Sequence, residues 1–362
     1  MPVPAAPSFE PAPAPGYGPA VAPPGYGGAP AIGAAPPPAG PHVALILRAH
    51  SPSFAQPAEA VRAGFFEAWQ RQAEALPAHL YAVGDDSRAL PGVYRNAVAS
   101  GARVVVGPLT RDGVNALASD PASITVPTLV LNVPDSGGTR PRQLYTLSLT
   151  IEAEARQIAR LALAEGRRKA FTVSEPTPLA RRMREAFVEA FERDGGSHIA
   201  DYAYTTDTAS LERMRQAASL GVADMVFFAI GAQRVGTVRT YMTPIAAYGT
   251  SQLNPGNAAS ANPVDLANVR FVDMPWMVQP DHPAVMVFAR QGPRLPDDLE
   301  RLYALGIDAA RIAIELLAGR NNVELDGVTG HLRSGPDGQI RRGLLVTLID
   351  GGQLTVLGES GP

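Results

Sequence analysis

From His42 onward, short apolar runs alternate with stretches whose apolar residues recur every three to four positions. His42–Arg48 (HVALILR), Leu80–Val83, Val104–Val106 and Thr128–Leu131 are runs of the first kind and predict buried strands. After Pro57, which stands where a helix would start, Val61, Phe65, Ala68, Trp69 and Gln72 share one helical face. Weaker helices are expected over Gly92–Ala99 and Asp112–Ala118, the latter with an acidic residue in its first turn that suits the helix dipole. Strand–helix alternation with short connections predicts a parallel sheet covered on both faces.

The alternation then restarts. Tyr145–Leu149 reads as a strand leaving the first lobe, and Ile151, Ala155, Ile158 and Ala162 stripe a helix over Glu152–Glu165. Ala170–Val173 is a strand, and Leu179, Met183, Phe187 and Phe191 form an i, i+4 row that stops at Gly195-Gly196. A strand at Ala203–Thr205, a helix at Leu211–Ala218 and strands at Met225–Ile230, Ile245–Tyr248 and Val269–Val272 complete a second α/β lobe. Leu299–Leu317 is the longest helix, and its small residues Gly306, Ala309, Ala310 and Ala313 predict close packing on a sheet. Beyond it, Gly330–Arg333, Leu344–Ile349 and Leu354–Leu357 predict antiparallel strands joined by the turns Pro336-Asp337-Gly338 and Asp350-Gly351-Gly352.

Composition changes this picture at the N-terminus. Residues 1–41 hold fourteen prolines and one charge, Glu10, so they read as an extended Pro/Ala/Gly-rich linker without enough apolar side chains to fold. The rest is too long for one core of usual size, which again predicts two lobes. Net charge is −3, which argues against a nucleic-acid partner. Lys169 is the sole lysine and sits in Arg168-Lys169-Ala170, which excludes a phosphate-binding P-loop. The absence of cysteine excludes disulfides, thiolate metal sites and a cysteine nucleophile. The six histidines lack metal-ligand spacing and there is no GxSxG elbow, so no enzyme, cofactor or metal is expected. No apolar run approaches the ~20 residues of a membrane-spanning helix, and the residues after Met1 show no signal-peptide pattern.

Candidate chemistry sits at strand ends. Val104–Val114 (VVVGPLTRDGV) reads as strand, tight turn and helix start, a unit that lines the ligand crevice of open parallel sheets. Ser51, Thr110, Asn132 and Ser251 each follow an expected strand by a few residues, and Tyr248 closes the strand before Ser251. Hydroxyls and amides there can hold a small zwitterion or carboxylate; the same groups also cap helices and close turns. Trp276 is either a cleft aromatic or a packing residue.

Four segments occur in a telling order: Phe271-Val272-Asp273-Met274-Pro275-Trp276; Arg301-Leu302-Tyr303-Ala304-Leu305-Gly306-Ile307-Asp308-Ala309; Gly327-Val328-Thr329-Gly330; and Asp337-Gly338-Gln339-Ile340-Arg341. With them, the chain from about His42 to Leu357 resembles the C-terminal domain of the LpoA-type penicillin-binding protein activators, the LppC family. The resemblance implies an α/β, two-lobed type I periplasmic-binding-protein-like fold, each lobe a mostly parallel sheet flanked by helices, with three crossing segments. The lobes are then expected at 42–148 plus about 277–327, and at 149–276 plus about 328–358. It further implies a non-catalytic regulator that stimulates a class A penicillin-binding protein, a peptidoglycan synthase, by protein–protein contact. Its place would be the periplasm, associated with the outer membrane. The chain departs from the family in having no lipobox cysteine and in carrying the Pro-rich segment where the best-known members have a helical-repeat domain. The fold alone also suits a solute-binding receptor for an amino-acid-like or muropeptide ligand.

Overall fold

The computed structural model describes residues 39–72, 76–135, 141–254, 256, 262–288, 293–350 and 353–361. The expected linker lies, up to residue 38, outside the described residues. Strands β1 (His42–Leu47), β2 (Ala78–Ala82), β3 (Ala102–Val106), β4 (Thr128–Val130) and β5 (Leu144–Leu147) alternate with helices α1 (Ala55–Trp69), α2 (Leu90–Ala99) and α3 (Arg111–Ala118). A second series comprises β6 (Lys169–Ser174), β7 (Ser197–Ala203), β8 (Met225–Ala229), β9 (Ala246–Gly249) and β10 (Val269–Asp273). Its helices are α4 (Ile151–Ala164), α5 (Pro178–Arg193), α6 (Thr208–Ser219) and α7 (Ala232–Arg239). The short α8 (Pro275–Val278) and α9 (Pro283–Val287) lead into the long α10 (Asp297–Leu317). Strands β11 (Glu324–Gly327), β12 (Gly330–Ser334), β13 (Gln339–Gly343), β14 (Leu345–Asp350) and β15 (Gln353–Glu359) follow.

These strands form two sheets, ordered β11-β12-β13-β5-β4-β3-β1-β2 and β15-β14-β10-β9-β8-β6-β7. Pairing is parallel throughout the alternating β/α part, and β13 joins β5 in parallel. The antiparallel pairs are β11–β12, β12–β13, β10–β14 and β14–β15. Full burial of β1 and β8 follows from covering a parallel sheet on both faces. In β1, Val43, Leu45 and Leu47 join the core with α1 and α10, while Ala44 and Ile46 point the other way, toward α2 and α3.

The chain passes between the sheets three times: from β5 into α4, from β10 through α8 toward α10, and at Leu344 between β13 and β14. This third passage corrects the expected boundary. Residues 330–343, expected in the second lobe, pair in the first sheet through the β13–β5 ladder; only β14 and β15 belong to the second. The strand expected at Ala203–Thr205 is β7 and ends at Ala203, where the expected one begins. Helix α7 and strands β11 and β13 were not foreseen. Leu179 leaves the buried row of its helix: it is 39% exposed, while Met183, Phe187 and Phe191 are buried.

Two close approaches depend on glycine. Gly107, in the turn after β3, has φ +98°, and a Cβ there would lie 2.1 Å from the Ile46 carbonyl oxygen. The small residues of α10 serve a helix as well as the sheet. Gly306 of α10 meets α1 so closely that a Cβ would lie 2.1 Å from the Val61 carbonyl oxygen, and Gly64 of α1 faces the Tyr303 carbonyl at 1.9 Å in the same way. Backbone must give way to admit a methyl group at either position. Gly306→Ala is therefore expected to destabilise the protein by about 1–3 kcal/mol, read as a lowered urea midpoint with an unchanged m-value; a midpoint equal to that of the parent chain would contradict the packing described.

Candidate functional site

A cleft of about 430 Å³ opens between the sheets at the carboxyl ends of their strands. The first lobe contributes Leu109 and Arg111 from the turn after β3, and Leu131 and Asn132 from the end of β4. The second contributes Leu179 and Arg182 of α5, and Ser251 and Gln252 beyond β9. The first crossing and the start of α4 form the floor with Leu149, Thr150 and Glu154, and α10 adds Arg301, Leu302 and Leu305. Apolar side chains thus alternate with charged ones along the cleft.

Of the strand-end residues singled out in the sequence, Asn132 and Ser251 line this cleft. Both are engaged with their own chain. Asn132 Nδ2 donates to the Leu109 carbonyl oxygen at 3.0 Å, and its Oδ1 accepts from the Val133 amide at 2.9 Å. The Ser251 amide donates to Glu154 Oε2 at 3.0 Å. Thr110 is buried at the N-cap position of α3 between two cleft residues, Leu109 and Arg111, and its hydroxyl makes no capping bond. Ser51 is fully buried and its Oγ accepts from the Phe54 amide at 3.2 Å, closing the turn before α1.

Tyr248 and Trp276 do not line the cleft. Tyr248 is fully buried and its hydroxyl donates to Glu165 Oε2 at 2.5 Å; burial, with the Glu165 carboxylate beside it, pushes its pKa up to about 12. Trp276 is buried, donates from Nε1 to Glu300 Oε2 at 2.7 Å, and lies 5.6 Å from the Tyr303 ring. It packs and braces the second crossing. Asp112, expected to interact with the helix dipole, also pairs with Arg48 from the end of β1. Burial raises its carboxyl, but the Thr110 hydroxyl and Arg48 outweigh it and hold the pKa below the ordinary value.

The sequence reading missed the charged network beneath the cleft. Arg301 Nη2 donates to Asp273 Oδ2 at 2.6 Å, and Asn254 Nδ2 donates to the same oxygen at 2.8 Å. The Met274 amide donates to Asp273 Oδ1 at 2.8 Å. Asp308 is fully buried and accepts from the Val328 amide at 3.1 Å, the Thr329 amide at 2.7 Å and the Thr329 hydroxyl at 2.6 Å. Arg342, also buried, donates to the carbonyl oxygens of Ser148 at 3.0 Å and Thr329 at 3.1 Å, and stands 3.9 Å from Glu154. Gln157 joins α4 to the third crossing, donating to the Arg342 carbonyl oxygen at 2.9 Å and accepting from Ser360 Oγ at 2.7 Å.

These contacts give three of the four sequence segments a structural meaning. Asp273 of the first holds Arg301 of the second, Trp276 of the first holds Glu300 beside the second, and Asp308 of the second holds Thr329 of the third. The available signal was the polar residue inside an apolar stripe, as Asp308 stands between Ile307 and Ala309. Such a residue in a buried helix face needs a partner.

The LppC model, described as "LppC putative lipoprotein", matches residues 40–347. The chain belongs to the LppC family. Penicillin-binding protein activator LpoA of Edwardsiella piscicida is 25% identical over 311 residues, covering 74% of this chain and 44% of that protein. The chain thus spans less than half the length of this relative. The LpoA C-domain of Haemophilus influenzae, described as a regulator of PBP1A, superposes with a TM-score of 0.72 at 20% identity, covering 87% of this chain and 99% of that one. A protein from Chromobacterium violaceum described as a putative branched-chain amino acid ABC transporter superposes with a TM-score of 0.74 at 38% identity, covering 85% and 99%. This LppC-family chain therefore has the expected two-lobed periplasmic-binding-protein-like fold.

The buried network makes stability depend on pH. Burial raises the Glu154 carboxyl above the ordinary glutamate value, opposed by Arg342 and Ser251. A carboxyl whose folded pKa exceeds its unfolded one favours the folded state most below the unfolded value, and that contribution is lost as pH rises through the folded pKa. Glu154→Gln should flatten this part of the decline in urea midpoint with rising pH; a slope identical to that of the parent chain would refute the assignment. Asp308→Ala strands the Thr329 and Val328 donors and should cost about 3–5 kcal/mol at neutral pH, measured by the same unfolding curves.

Proposed function

We propose that this protein is a non-catalytic regulator that stimulates a class A penicillin-binding protein, a peptidoglycan synthase, through protein–protein contact. Its setting in this reading is the periplasm, in association with the outer membrane, as the lipoprotein family and its LpoA relatives suggest. Family membership across 40–347 carries the reading. The cleft supports it. Arg301 is held by Asp273, Arg182 lies 3.4 Å from Glu152, and Arg111 lies 3.9 Å from Asp135, so its guanidinium groups face carboxylates of the same chain. A regulator acting by contact would use its outer surface and leave these pairs intact.

A second reading, a receptor for an amino-acid-like solute, draws on the apolar cleft residues Leu109, Leu131, Leu179 and Leu302 and on the likeness to the C. violaceum protein. Asn132 and Ser251 would be its polar contacts.

Glycan polymerisation and crosslinking by the class A synthase of the same organism should accelerate when the protein is added, and the two should co-purify. Unchanged rates together with no detectable binding would sink the activator reading. Isothermal titration with leucine and a muropeptide panel separates the second reading: the activator reading expects no saturable heat, whereas saturable binding weakened by Ser251→Ala would favour the receptor.

A further inference from the structure

Helix α4 lines two separate cavities with two of its faces. Its first residues, Ile151, Glu152 and Glu154, line the cleft. Ala153, Arg156, Gln157 and Arg160, at i, i+3, i+4 and i+7, line a separate pocket of about 140 Å³ on another face. Strand β13 forms the opposite wall with Gln339, Ile340, Arg341 and Arg342, and Ser148 of the first crossing lies between. Because α4 covers the second sheet and β13 belongs to the first, this pocket sits astride the junction of the lobes.

Four arginines meet there, and their charge is unevenly compensated. Asp337 takes Arg341 at 3.1 Å. Asp194 faces Arg160 but is bonded to Arg193 at 3.0 Å. Arg156 and Arg160 make no hydrogen bond or ion pair among the described residues, although they stand one turn apart on the same helix face. Like charges at this spacing repel, and a guanidinium does not relieve the repulsion by losing its proton. Arg160 and Arg341 are open to solvent, so an external group can reach them.

We propose that the pocket between α4 and β13 binds an oxyanion group, a phosphate or a carboxylate, held by Arg156 and Arg160 from one lobe and Arg341 from the other. Planar guanidinium forks pair with such groups through two parallel hydrogen bonds. A bound anion would tie the second lobe to the first and narrow the range of interlobe angles. This inference is independent of the activator reading, since it concerns a pocket outside the cleft and requires no synthase.

The test uses the whole chain. Isothermal titration with inorganic phosphate and with succinate, against chloride at matched ionic strength, should give saturable binding for at least one of the two oxyanions; which one binds identifies the source chemistry. The double variant Arg156→Gln/Arg160→Gln should bind about tenfold or more weakly and, without anion, should melt no lower than the parent chain. Because the chain lacks cysteine, spin labels at Ser119→Cys and Ser219→Cys report the interlobe distance, whose distribution should narrow with the anion in the parent background and not in the double variant. Absence of saturable binding by either oxyanion, or equal affinity in the double variant, overturns the site. Binding without narrowing overturns the bridging role.

Discussion

The fold depends on buried charge placed where the chain passes between its two sheets. Asp273 and Arg301 fasten the second crossing to α10, Asp308 fastens α10 to the 328–329 turn, and Arg342 fastens that turn to Ser148 on the first crossing. Each bond joins segments far apart in sequence, so the lobes are related by a closed set of contacts. Buried ion pairs carry a large desolvation cost and are weak evidence for net stability. Their geometric consequence is clearer. Shifting any crossing by one residue would leave a buried charge without its partner, a penalty that an apolar junction would not impose.

The parallel part of both sheets was legible because its strands are buried on both faces and therefore appear as continuous apolar runs, as in HVALIL and MVFFA. Strands that differ from that pattern were misplaced or missed. β7 alternates exposed and half-buried residues at the edge of its sheet, so no apolar run marks it. β13 (QIRRG) has one large apolar residue, Ile340, yet sits between β12 and β5. Its polar side chains have local and junction roles that no apolar pattern announces: Arg342 bonds to the crossings, and the exposed Arg341 pairs with Asp337 of the preceding turn. The β13–β5 ladder, invisible in that polar segment, is what places residues 330–343 in the first sheet.

Strand ends located the cleft but did not reveal how its polar groups are used. Asn132 and Ser251 reach it, and each is bound to its own backbone or to Glu154. Ser51 and Tyr248 follow the same local pattern and turn into the interior instead. The difference lies in which face of the strand-end turn each side chain occupies. A position a few residues past a strand does not specify that face, because the turns differ in length and conformation. Trp276 illustrates the same limit: an indole after a strand reads equally well as a ligand contact, and Glu300, 24 residues later, is what takes its N–H.

The sequence segments that mark the family therefore report on the junction more than on the cleft. Asp273, Arg301, Asp308 and Thr329 form bonds to one another's segments, whereas the two lobes line the cleft with leucines and with arginines paired within their own lobes. A junction held by its own buried contacts, largely separate from the cleft walls, is a physical basis on which one two-lobed frame can recur in a protein described as a putative amino acid ABC transporter and in one described as a regulator. In this chain the frame maintains the relation between the lobes through contacts that leave the cleft walls, Arg301 apart, outside them.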